Sequence, residues 1–101
     1  MVETPRITRV VVIKNKQGLH ARPAEKMVRT AQTFEAKVEL IRDDRRVDAR
    51  NMIDLLTLGA AQGTQIVLEA EGRDAQAAVD ALAELVEQIF PQEDLDDQPA
   101  A

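Results

Sequence analysis

From Ile7 to Ile13 the chain alternates, with Ile7, Val11 and Ile13 on one face and Thr8, Val10 and Val12 on the other, and this β-branched run predicts a strand. Residues 1–6, with Pro5, read as a short arm leading into it. After the polar, turn-like stretch Asn15 to Gly18 the period changes from two to 3.6. Ala24, Met27, Val28 and Ala31 then recur at helical spacing, which predicts a helix from about Ala21. Pro23 is compatible with that helix because it falls in the first turn, where its missing N–H has no intrahelical partner to lose. Phe34 leads into Lys37 to Arg42, where Val38 and Leu40 alternate with Lys37, Glu39 and Ile41. With Asp43-Asp44 and the short stretch around Val47 this predicts a hairpin whose second strand is weak. Asn51 is placed to cap a short helix of Met52, Ile53, Leu55, Leu56 and Leu58 that ends at Gly59. Gly63 turns the chain into a strand from Gln65 to Glu71. Asp74 can cap a last helix, on which Ala78, Val79, Leu82, Leu85, Val86 and Ile89 form a continuous apolar stripe.

The predicted order is βαββαβα, which at this length favours an α+β layer with helices covering one face of an antiparallel sheet. No repeat or internal linker interrupts it. With 101 residues, one domain over 1–90 is the expectation, followed by an acidic tail over 91–101. The tail carries Glu93, Asp94, Asp96 and Asp97 with no base, so the net charge of −5 falls to about −1 without them. Such a segment reads as a disordered, solubilising end, with tuning of partner choice as the alternative.

Composition narrows the function classes. Phe34 and Phe90 are the only aromatic residues, so the core is aliphatic and no platform exists for stacking nucleic-acid bases. The acidic balance also argues against a phosphate backbone as partner. Without cysteine, thiolate metal sites and thiol catalysis are excluded, and a single histidine cannot build a multi-histidine metal site. The early apolar run Val10 to Ile13, between Arg9 and Lys14, is strand length and predicts neither a signal segment nor a membrane span. A cytoplasmic protein fits this composition.

The stretch with chemistry is Lys14 to Arg22, KNKQGLHAR, which has three bases and no acid inside an acidic chain. His20 falls at the start of the first helix with Arg22 beside it. Helix N–H groups and the positive end of the dipole favour an anion there, and a guanidinium binds phosphate-like oxygens in a planar fork. Gly18 lets the incoming backbone bend. Near neutral pH an imidazole is partly unprotonated and nucleophilic, and once phosphorylated it is a good leaving group. The same residues also read as a solvated polar helix start.

The run GLHARPA, Gly18 to Ala24, resembles the active-site segment of the HPr family, the histidine phosphocarriers of bacterial phosphotransferase systems. The resemblance extends from about Ile7 to Phe90. It includes AxxF at Ala31 to Phe34, TLGAAQG at Thr57 to Gly63, and Glu71-Gly72 before the last helix. It implies an open-faced β-sandwich, a four-stranded antiparallel sheet covered on one face by three helices. It further implies that His20 accepts a phosphoryl group from phosphorylated enzyme I, itself charged by phosphoenolpyruvate, and donates it to a histidine of a downstream enzyme II A component. The implied roles are His20 as phosphoryl acceptor, Arg22 as charge partner, and the backbone N–H groups of Ala21 and Arg22 as phosphate ligands. Gly18 and Pro23 supply the geometry of the motif. The resemblance implies no metal or cofactor, and a monomeric carrier that relays rather than turns over substrate.

Four apolar side chains, Met52, Ile53, Leu55 and Leu56, are too many for so short a helix to bury on one side, so some are expected beside His20 at the surface. The family docks partners on its first two helices, which makes Ala21, Met52, Ile53 and Leu56 the interface candidates. Burial of Leu55 and Leu56 in the core is the alternative. Two positions depart from the family pattern. Asn51 stands where many relatives carry a regulatory serine, and it caps a helix equally well but offers no hydroxyl. Asp54 stands where Gly or Lys is frequent, either pointing to solvent or altering the choice of an acidic partner. Both lean towards the nitrogen-type regulatory branch rather than sugar uptake. A regulatory binding module of the same fold, acting through the apolar helix surface, is the alternative to a carrier.

Overall fold

The structure, a computed structural model, describes residues 4–96. The expected elements follow one another as β1 (Arg6–Val12), α1 (Ala21–Gln32), β2 (Lys37–Arg42), β3 (Arg45–Asp48), α2 (Met52–Thr57), β4 (Gln65–Glu71) and α3 (Ala75–Glu84). A π-helical turn at Leu85–Ile89 then leads into α4 (Phe90–Asp96). The strands form one antiparallel sheet in the order β1-β4-β2-β3.

The period-two pattern sets the register. Val11 lies opposite Ile66, Leu40 opposite both Leu68 and Val47, and Val38 opposite Ala70, and all of these side chains are buried. A slip of one residue would turn the whole set towards solvent. The helices cover this inner face: α3 packs on β1, β2 and β4, α1 packs on α2 and α3, and α2 rests against β3. The result is the open-faced β-sandwich of the α+β class. Met27, Leu55, Leu58, Val79, Leu82 and Val86 complete an aliphatic core.

The other face of the sheet exposes Val10 and carries a charged groove lined by Arg6, Lys37, Glu39, Arg46, Glu69 and Glu71. There the Arg46 guanidinium donates to Glu69 and to Glu39, at 2.9 Å, and these carboxylates, Glu69 first, raise its already high pKa.

The structure corrects two expectations. Asp74 stands at the N-cap position of α3, but its side chain does not cap that helix. Its carboxylate accepts the backbone N–H groups of Glu35 (2.9 Å) and Ala36 (2.8 Å), and so clasps the turn before β2. Gly72 makes this possible: a Cβ there would lie 2.7 Å from the Cα of Ala36, so only glycine lets the two segments approach this closely. The N–H of Glu35, with that of Ala36, holds the Asp74 carboxyl below its ordinary range against the opposing effect of desolvation.

The second correction concerns the chain after Phe90. The helix continues through Pro91 to Asp96, so the segment from residue 91 does not open as a tail. Proline lacks an N–H and crowds the carbonyl one turn back, and the widened π turn directly before it accommodates both effects without a break. Glu93 pairs with Lys26 of α1. The rest of the expected tail, residues 97–101, lies outside the described residues.

Candidate functional site

The loop between β1 and α1 is tied down residue by residue before it reaches His20. Ile13 pairs with the α2–β4 loop, donating to Thr64 (2.9 Å) and accepting from Gly63 (2.7 Å). Gln62 donates to the Lys14 carbonyl at 3.0 Å. Gly18 donates to the Asn15 carbonyl at 3.1 Å, Leu19 donates to Ala60 at 2.9 Å, and His20 donates to the Gly18 carbonyl at 3.0 Å. Gly18 has φ +66°, and a Cβ built on it would lie 2.4 Å from the Ala60 oxygen. The expected bend at Gly18 is therefore present, and its cause is a close approach to a distant loop.

His20 occupies the N-cap of α1 with extended backbone (φ −89°, ψ −170°), and its carbonyl accepts the first helical bond, from Ala24 at 3.0 Å. Its half-buried imidazole makes no capping hydrogen bond. The ring is thus held at the helix start without being consumed by the helix. Ala21 and Arg22 supply the first N–H groups, which point out of the N-terminal end of α1. Both residues are exposed, while Pro23 is buried in the first turn. No acid lies in that turn. Gln17, Leu19, His20, Ala21, Leu56, Gly59, Ala60 and Ala61 line a shallow, mainly apolar depression beside the ring.

The far wall of that depression depends on arginines of the β2–β3 hairpin. Arg42 donates to the carbonyls of Leu58 (2.8 Å) and Gly59 (2.7 Å), and Arg45 donates to the carbonyl and, at 3.2 Å, the hydroxyl of Thr57. These bonds satisfy the last carbonyls of α2 and neutralise its negative end.

Over residues 7–88 the sequence matches the family model described as the PTS HPr component phosphorylation site. The chain belongs to the HPr phosphocarrier family. It is 34% identical over 87 residues to the phosphocarrier protein HPr of Treponema pallidum, covering 86% of this chain and 99% of the relative. With the phosphocarrier protein NPr of Shewanella violacea the identity is 38% over 85 residues, covering 84% and 93%. The crystal structure of HPr-C-His from Thermoanaerobacter tengcongensis superposes with a TM-score of 0.80 at 39% identity, over 83% of this chain and 94% of that one.

Within this HPr fold, α2 presents the expected surface unevenly. Ile53 is 71% exposed and Leu56 42%, Leu56 in the depression that Ala21 also lines, whereas Leu55 is fully buried. Met52 is half-buried and packs on the core, so it offers less surface than expected. Asn51 caps α2 through its side-chain oxygen, which accepts the Asp54 N–H at 3.0 Å. The chain has no serine at any position, so a regulatory serine is absent as such and not merely displaced. The site residues not apparent from sequence are Asn15, Ala60 and Arg42. Asn15 had a local signal as a turn residue, but the other two act across the fold and leave none.

Proposed function

We propose that this HPr-family phosphocarrier relays a phosphoryl group through the imidazole of His20. The observation that carries the reading is a half-buried ring at the N-cap of α1, inside the GLHARPA run, that makes no capping bond. In the first step an unprotonated ring nitrogen of His20 attacks phosphorus as the bond from phosphorus to the histidine of phosphorylated enzyme I breaks. The same exchange then runs from His20 to a histidine of an enzyme II A component. Arg22 and the N–H groups of Ala21 and Arg22 balance the phosphoryl charge. Ala21, Met52, Ile53 and Leu56 form the surface on which donor and acceptor dock in turn. The protein acts as a cytoplasmic, monomeric carrier, not a turnover enzyme, and uses no metal, cofactor, nucleic acid or membrane insertion.

Two features support a nitrogen-type regulatory relay over sugar uptake: Asn51 in place of a phosphorylatable serine, and the half-buried Asp54 carboxylate on the docking helix. The similarity to an NPr protein accords with this.

Intact-mass measurement at neutral pH, after incubation with phosphoenolpyruvate and the source organism's enzyme I, tests the reading. One acid-labile phosphoryl adduct is expected on the native chain and none on His20→Ala. Arg22→Ala is expected to label more slowly. An adduct that persists in His20→Ala removes the assignment, and no adduct on the native chain favours a docking module acting through Ile53 and Leu56.

A further inference from the structure

We infer that Asn15 is a positioning residue for the phosphoryl transfer proposed above, and this inference rests on that reading. Asn15 is only 2% exposed, and its side-chain Nδ2 donates to the Gly18 carbonyl at 2.6 Å. That same carbonyl accepts the His20 peptide N–H at 3.0 Å. The amide of Asn15 therefore holds the Gly18–Leu19 peptide group, whose carbonyl also takes the His20 N–H, and so fixes the sharp bend that delivers the imidazole to the start of α1.

The other side of the amide makes the case. The Oδ1 atom of Asn15 is buried and has no hydrogen-bond partner among the described residues. A buried polar atom left unsatisfied costs stability, and an alanine at this position would not carry that cost. The amide cannot be turned over to help, because Oδ1 would then face the Gly18 carbonyl oxygen, acceptor against acceptor. What asparagine supplies here is a donor aimed at Gly18. The remaining ties of the loop, Gly18 to Asn15 and Leu19 to Ala60, join backbone to backbone and survive substitution. Loss of the Asn15 donor is thus expected to loosen the direction of the ring while the fold persists.

The test compares initial rates of phosphorylation of the full native chain and Asn15→Ala by enzyme I and phosphoenolpyruvate, over a range of carrier concentrations. The expected result is a roughly tenfold lower kcat, in line with the sensitivity of group transfer to small misplacements. KM for the carrier and the melting temperature should be unchanged. Equal kcat values overturn the inference, as does a loss confined to KM. A native chain that takes up no phosphoryl group overturns the carrier reading instead, and this inference with it. Should Asn15→Ala fail to fold, hydrogen exchange on the native protein decides. Slow exchange of the Asn15 side-chain amide and of the His20 N–H supports positioning, and exchange at the rate of an exposed amide overturns it.

Discussion

Gly18 and Gly63 share a positive φ but not a neighbourhood, and the contrast separates two reasons for a glycine. At Gly63, with φ +89°, a Cβ meets nothing within 4 Å, so alanine there bears the left-handed backbone penalty alone, about 1–2 kcal/mol. At Gly18 the Cβ would also lie 2.4 Å from the Ala60 oxygen and 2.9 Å from the Ala61 Cα, both backbone atoms that no rotamer change can move aside. Gly18→Ala is therefore expected to lower the unfolding free energy measured in urea further than Gly63→Ala, by at least about another 1 kcal/mol. It should also slow labelling of His20, because relief of the clash displaces the loop that carries it. Equal losses in the two variants would show that the approach of the two loops does not constrain the site. From sequence, the bend at Gly18 was legible because glycine before a helix is a local signal. Its cause was not, because Ala60 and Ala61 come to it only through the sheet.

The caps divide the elements in the same way. Asn51 was legible as the cap of α2 because it bonds a residue three positions on. Asp74 carries the same local signal before α3, yet its carboxylate reaches across to Glu35 and Ala36. Arg42, Arg45 and Arg50 finish helices to which they are not adjacent, Arg50 by donating to the Phe34 carbonyl after α1. Side-chain reach of that kind leaves no periodicity, so it appears only once the strands are paired. The clasp made by Asp74 has a pH dependence of definite sign. Its folded-state pKa is lowered, chiefly by the Glu35 N–H, so its contribution is complete above the ordinary aspartate value of about 3.9. That contribution is lost as pH falls through the lower, folded value. Asp74→Asn cannot accept both N–H groups and has no charge to titrate. The gap in urea midpoint between native and variant chains should be constant above about pH 5 and close progressively towards about pH 2. A gap independent of pH would assign the clasp to geometry without charge.

At the scale of the whole molecule, the aliphatic alternation and the stripe on the last helix specified the order of elements and the side of the sheet they cover, because each buries its own regular period. The end of the last helix escaped the same reasoning: Pro91 and the acids after it look like a terminus, and the π turn that carries the helix past the proline has no sequence signature. The core nevertheless ends close to where the stripe ends. Leu85, Val86 and Phe90 are buried, whereas Gln92 is exposed and Glu93 contributes a partly exposed pair with Lys26. Two truncations separate the roles of these segments. Removing residues 93–101 takes away that ion pair, worth about 0–1 kcal/mol at such exposure, and should leave the melting transition cooperative and His20 labelling at the native rate. Removing residues 85–101 strips three buried side chains, and large core residues are worth about 2–5 kcal/mol each in a domain whose total stability is about 5–15 kcal/mol. That chain should lose its cooperative transition in circular dichroism. If the shorter deletion alone abolished the transition, the helix beyond Phe90 would be part of the core rather than an extension laid against α1.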